Sequence, residues 1–82
     1  MNMQTSKGVL RYGITKSRAG HSHVWCILGR ATWRSGRMEP HHAHRLCRAI
    51  HECDQDKIRS IDMERDSAPL LEMLQGQGRV RP

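Results

Sequence analysis

The chain has 82 residues, 14 Lys and Arg against eight Asp and Glu, a formal net charge of +6, 37% hydrophobic residues and no Phe. A chain of this length forms at most one domain. The core of that domain is thin, because the chain buries only about 60–65% of the surface that it exposes when unfolded. No stretch approaches the roughly 18 apolar residues of a membrane span. The totals argue against a multidomain enzyme or a membrane-spanning protein, and they predict help from a partner, such as a second copy in a homodimer.

Three segments with the properties of β-strands come first in the chain. Apolar and other residues alternate in residues 8–16 (GVLRYGITK), and residues 23–28 (HVWCIL) are a short apolar run of β-forming side chains. A loop over residues 17–22 would join them as an antiparallel hairpin. A break at Gly29 and Arg30 then leads into a short third strand over residues 31–34.

Helical spacing replaces strand alternation after residue 39. Pro40 suits the first turn of a helix, and the apolar residues from Ala43 to Cys53 recur on one stripe. Polar residues would fall near the centre of that stripe at positions 54–57, so we expect the helix either to fray or kink there or to continue as an exposed second half. A last helix is expected to start with Ser67 as its N-cap and to end at Gly76.

These elements predict an α+β fold in which a two- or three-stranded antiparallel sheet packs on one main helix, followed by a short C-terminal helix. We divide the chain into a flexible lead-in (1–7), a small ββ(β)α domain (8–62), a C-terminal helical segment (63–75) and a disordered tail (76–82).

The order of elements over residues 8–53 resembles that of DNA-binding domains that insert a three-stranded sheet into the major groove, such as plant AP2-type and phage integrase arm-binding domains. That resemblance is one of fold and assigns no residue a role.

The positive charge predicts attraction to polyanions. Eleven of the 14 basic residues are Arg, whose planar fork of donors matches phosphate and guanine, although the codon bias of a GC-rich genome would produce the same excess. We expect a small, basic, non-enzymatic protein of phage or mobile-element accessory type that binds nucleic acid, most readily DNA. The residues expected to bind the nucleic acid or partner are Arg11, Lys16, Arg18, Arg30, Trp33, Arg34 and Arg37.

An inhibitor or adaptor that binds an acidic host protein is the alternative. Both faces of the second strand are apolar, because Trp25 and Ile27 share one face while Val24, Cys26 and Leu28 share the other. One face can pack on the helix, and the other is a candidate binding surface. The C-terminal helix would complete this protein-interaction surface with Leu70, Leu71, Met73 and Leu74.

The main helix is rich in histidine and cysteine, which are the residue types of a metal site or of a catalytic thiol with a histidine base. His44, Cys47 and His51 fall on one side of an ideal helix, and Cys26 on the second strand would be a fourth zinc ligand. Their spacing matches no standard zinc pattern, so we predict neither a metal nor any other cofactor. The chain also lacks room for a substrate pocket beside a cysteine–histidine pair, and we predict no enzymatic activity.

The three cysteines are an odd number, and from the polar first residues we expect no signal peptide. Free thiols are typical of a reducing compartment. The expected location is therefore the cytoplasm.

Overall fold

The computed structural model describes residues 9–61 and 64–80, where three strands precede three helices. Strands β1 (Leu10–Lys16), β2 (Ser22–Leu28) and β3 (Ala31–Arg34) form one antiparallel sheet in the order β1-β2-β3. The predicted α+β fold is confirmed, and the optional third strand is present. The lead-in predicted for residues 1–7 lies outside the described residues.

A two-residue turn between β2 and β3 sets the register of the sheet. Gly29 has a φ of +63°, and a left-handed first residue is what a tight hairpin turn of this length requires. The turn fixes which residues of the two strands lie opposite each other. The resulting pairs are Leu28 with Ala31, Ile27 with Thr32, Cys26 with Trp33 and Trp25 with Arg34.

The core lies between one side of this sheet and helices α1 (Pro40–Glu52), α2 (Gln55–Ser60) and α3 (Glu64–Gly76). We name this side of the sheet the inner face. Its core residues are Leu10, Tyr12, Ile14, Val24, Cys26, Leu28 and Trp33. Helix α1 lays its buried stripe, from Ala43 to Ile50, against them.

The predicted break in the main helix occurs at Cys53, which has a left-handed φ of +53°. Its N–H donates to the Ile50 carbonyl, and the Asp54 N–H donates to that of Ala49, both at 3.0 Å. This pattern is a Schellman motif, which satisfies the last carbonyls of a helix. Asp54 then caps α2, because its Oδ1 accepts a 3.1 Å hydrogen bond from the Lys57 N–H.

Helix α3 and the residues after it belong to the folded domain. The helix begins at Glu64, so Ser67 and Pro69 lie within it and Ser67 is not its N-cap. A disordered tail was expected for residues 76–82. Within the described part of that segment, the Arg79 N–H donates to the Leu74 carbonyl at 2.9 Å, and Val80 is buried in the core.

Candidate functional site

The sheet turns its other side away from the helices, and we name this side the outer face. All three strands contribute to it. Its residues are Arg11, Gly13, Thr15, His23, Trp25, Ile27, Thr32 and Arg34. None of these eight belongs to the core cluster, and each is exposed or half-buried. The outer face is therefore a surface that the described strands leave open to a partner.

Trp25 occupies the centre of the outer face, between Gly13 of β1 and Arg34 of β3. A Cβ added to Gly13 would lie 2.7 Å from Cζ2 and 2.9 Å from Cε2 of the Trp25 indole. Non-bonded carbon atoms normally stay about 3.5 Å or more apart. The missing side chain at position 13 therefore lets the indole lie against β1, where it covers the glycine backbone.

Hydrogen-bonding side chains surround this tryptophan. They are Arg11, Thr15, His23, Thr32 and Arg34. His23 Nδ1 lies 3.2 Å from the Ser35 carbonyl oxygen. Because a carbonyl only accepts, Nδ1 carries the proton in this pairing, and the bond holds the imidazole at the edge of the outer face. The face thus combines guanidinium, hydroxyl and imidazole groups with two apolar side chains.

Charge is divided unevenly between the sheet and the helices. Residues 1–38 contain seven Lys and Arg and no acidic residue, whereas residues 39–82 contain seven Lys and Arg and eight Asp and Glu. The first part therefore carries a formal charge of +7 and the second part −1. The positive excess therefore lies in the first 38 residues, which include all three strands, and the outer face has no carboxylate to offset the field of its arginines.

Five of the six basic residues predicted to bind lie in three places on and around the sheet. Arg11 and Arg34 are on the outer face, and Lys16 and Arg18 are exposed at one end of the sheet. Arg30 is exposed at the opposite end, in the turn after β2. The seven residues of β2 span about 20 Å at the usual strand rise, so these five cations extend along the full length of the sheet.

The two remaining members of that predicted set lie elsewhere. Arg37 lies beyond β3, where it lines a cleft of about 330 Å³ with His42 and Arg45. Trp33 is only 8% exposed and pairs with Cys26 on the inner face. Its indole packs in the core and cannot stack on a ligand at the outer face.

The leucines of the predicted protein-interaction surface are also core residues. Leu70, Leu71 and Leu74 are buried, and Met73 is half-buried against the same cluster. The sequence identified α3 as amphipathic but did not show that the sheet and α2 cover its apolar side. An exposed apolar helix is therefore not available to a protein partner at these positions.

The histidines and cysteines considered for a metal are dispersed. His44 is exposed, Cys47 is half-buried, and the side chain of His51 contacts Tyr12 through an Nδ1–hydroxyl hydrogen bond. Across residues 9–61 and 64–80, no three His, Cys, Asp or Glu side chains are grouped so that they could hold a metal ion.

The thiols of Cys26 and Cys47 are suited to packing in the core and not to nucleophilic attack. Cys26 is fully buried, and burial raises the pKa of its thiol to about 11, with smaller contributions from Cys53 and Cys47. Burial also raises the pKa of Cys47. A nucleophilic cysteine needs the opposite shift, toward the thiolate near neutral pH. These two cysteines act as small apolar residues in this fold.

Trp25 was not among the residues predicted to bind, although the sequence contains a signal for it. A two-residue turn at positions 29 and 30 places residue 34 opposite residue 25. Arg34 must face solvent, so its neighbour Trp25 faces solvent as well. The same two-residue turn places Trp33 opposite Cys26, on the face that packs in the core.

No protein-family model, curated protein or solved structure is similar enough to the chain to count as a match. Among the described residues, no helix combines the length and apolar character needed to span a membrane. The chemistry of the outer face is thus the basis for assigning a function.

Proposed function

We propose that this protein binds nucleic acid, and DNA in particular, through the outer face of its sheet. The observation that carries the proposal is the acid-free outer face, on which Arg11 and Arg34 flank a half-buried Trp25. A purely structural sheet surface commonly mixes charges of both signs. A uniform positive sign around an aromatic residue favours a polyanion with flat bases.

The cations on and around the outer face would bind the phosphates in such a complex. Guanidinium groups bind phosphate oxygens with two hydrogen bonds, and each neutralised phosphate releases condensed counterions. The exposed cations Lys16, Arg18 and Arg30 extend the contact beyond both ends of the sheet. Phosphate contacts of this kind supply affinity that depends on salt and not on sequence.

The proposal is one of binding without catalysis. Arg, Thr, His and Trp side chains occur on the outer face, and the only thiol in the strands, Cys26, is buried on the opposite side. The chemistry that the face offers is recognition of charge and aromatic surface.

Fluorescence anisotropy of a short labelled DNA, titrated at about 50 mM and about 200 mM salt, tests the proposal. The double variant R11Q/R34Q is expected to bind more weakly and to flatten the dependence of log K on log salt by about 1.5, since two phosphate contacts are lost. The matched control is R45Q/R48Q. It removes the same charge from exposed positions on α1, a helix that packs on the inner face.

Equal losses in the two double variants would show that net charge alone governs binding, and the outer face would lose its assignment. No binding of DNA by the wild-type protein at the lower salt would reject the proposal outright. An acidic protein would then be the partner to seek, because the same field attracts it.

A further inference from the structure

We infer that the ligand of the outer face is single-stranded nucleic acid, held with an unpaired base stacked on the indole of Trp25. The inference rests on the proposed function, since it names the form of nucleic acid that the same surface takes. It follows from where the apolar and charged groups lie relative to each other on the sheet.

The apolar groups are central and the cations are peripheral. Trp25 and Ile27 are consecutive outward-facing residues of the middle strand, whereas Arg11 and Arg34 belong to the two outer strands. A duplex presents its phosphates outermost and keeps the flat faces of its bases inside the stack. A single strand can turn its bases toward a protein and leave its phosphates at the sides. The arrangement on this sheet matches the single strand.

The indole is also held in place before any ligand arrives. The nitrogen-bearing edge of the ring lies across the Cα of Gly13, where an added Cβ would be 2.7–3.1 Å from Cζ2, Cε2 and Nε1. Trp25 therefore rests on the sheet instead of projecting into solvent. A ring fixed in this way loses little conformational freedom when a base stacks on it.

The polar residues beside the indole suit the edges of an unstacked base. Thr15 lies opposite His23 at one end of the outer face, and Thr32 lies opposite Ile27 toward the other end. The threonine hydroxyls both donate and accept hydrogen bonds, and Nε2 of the neutral His23 ring accepts, because its Nδ1–H is directed to the Ser35 carbonyl. They would complement bases of any sequence, as expected for stacking that tolerates sequence differences.

The test compares a labelled single-stranded oligothymidine with a duplex of equal length, using anisotropy at one salt concentration. Wild-type protein is expected to bind the single strand at least about 10-fold more tightly than the duplex, because stacking contributes only with unpaired bases. The variant W25L keeps an apolar side chain but removes the aromatic ring. It is expected to weaken single-strand binding by about 10-fold and to leave duplex binding and the salt dependence unchanged.

A second variant and a fold check separate stacking from structural damage. W25F retains a ring and is expected to recover most of the affinity lost in W25L. Urea denaturation of both variants shows whether the domain still folds, which we expect because Trp25 lies outside the core cluster.

The possible results separate the two proposals. The stacking inference is wrong if single strand and duplex bind equally, or if W25L binds the single strand as tightly as the wild type does. If R11Q/R34Q still weakens binding in that case, the outer face binds nucleic acid without stacking. If neither form binds, the proposed function fails and the inference fails with it. Loss of single-strand affinity in W25L that W25F recovers supports both.

Discussion

Replacing Gly13 with Ala is a test of the outer face that changes no charge. Gly13 lies in β1 without a left-handed φ, so its backbone accepts an alanine. The new methyl group would, however, lie 2.7 Å from Cζ2 of Trp25. Ordinary carbon contacts are about 3.5–4.0 Å, so the indole must retreat by about 1 Å or rotate away.

Two opposing energies set the expected change in stability. Removing a glycine from an extended strand stabilises the folded state by about 0.4–1 kcal/mol through the unfolded chain. Crowding a packed side chain costs about 1–3 kcal/mol. Trp25 is half-buried on an open face and can move outward, so we take the lower part of that range. The free energy of unfolding should fall by less than about 1 kcal/mol.

The position of Trp25 should change much more than the stability. We expect G13A to shift the tryptophan emission toward longer wavelength and to weaken binding of single-stranded oligothymidine by several-fold. W25F reports the emission of Trp33 alone and allows its subtraction. Gly76→Ala is the matched control, because an added Cβ at the end of α3 meets no atom within 4 Å. Wild-type emission and affinity in G13A would refute the packing of Trp25 on Gly13 and its role in binding.

Three further predictions concern the stability of the fold. Leu74→Ala should lower the free energy of unfolding in urea by about 2–5 kcal/mol, because Leu74 is fully buried; a loss below 1 kcal/mol would contradict its place in the core. Asp54→Ala should cost about 1 kcal/mol by removing the cap on the Lys57 N–H, and Asp56→Ala, which removes an exposed charge from the same helix, should cost less in the same assay. The raised pKa of Cys26 keeps its thiol neutral to about pH 11 in the folded state, whereas an ordinary thiol ionises near 9.0. The contribution of this thiol to stability should therefore be complete below pH 9 and decline by about 2–3 kcal/mol between pH 9 and 11; the decline measured by denaturation of C26A across this range should be smaller by that amount.

The strands and the first helix were predictable because local signals agree. Alternation in β1, the apolar run of β2 and the glycine turn before β3 each indicate one structure, and Pro40 marks the start of α1. The break after α1 was predicted from polar residues that would interrupt its apolar stripe. Its exact position depends on the left-handed backbone of Cys53, a conformation that a non-glycine residue rarely adopts and that sequence alone does not indicate.

The C-terminal part was harder to predict because tertiary contacts decide it. Ser67 was predicted as the N-cap of the last helix, yet α3 begins at Glu64 and continues through Pro69. Gly78 has a φ of +73° and turns the chain so that Val80 reaches the core. A segment rich in Gly, Gln and Arg carries no periodic signal for such a return.

The outer face was predicted in part. Arg11 and Arg34 were identified as binding candidates and lie on it, whereas Trp33 took the place that belongs to Trp25. Alternation shows which residues share a face but not which face the helices cover. With apolar residues on both faces of β2, only the pairing with Arg34 of β3 distinguishes the two faces.

The separation of charge between residues 1–38 and the rest of the chain affects the rate of binding as well as its strength. With its positive excess confined to residues 1–38, the domain has a permanent electric dipole, and the field of a polyanion exerts a torque on it during approach. The protein then rotates so that the sheet faces the polyanion before contact, and a larger fraction of encounters has the orientation that allows binding. Association should be fast at low ionic strength and slow steeply as salt screens the field.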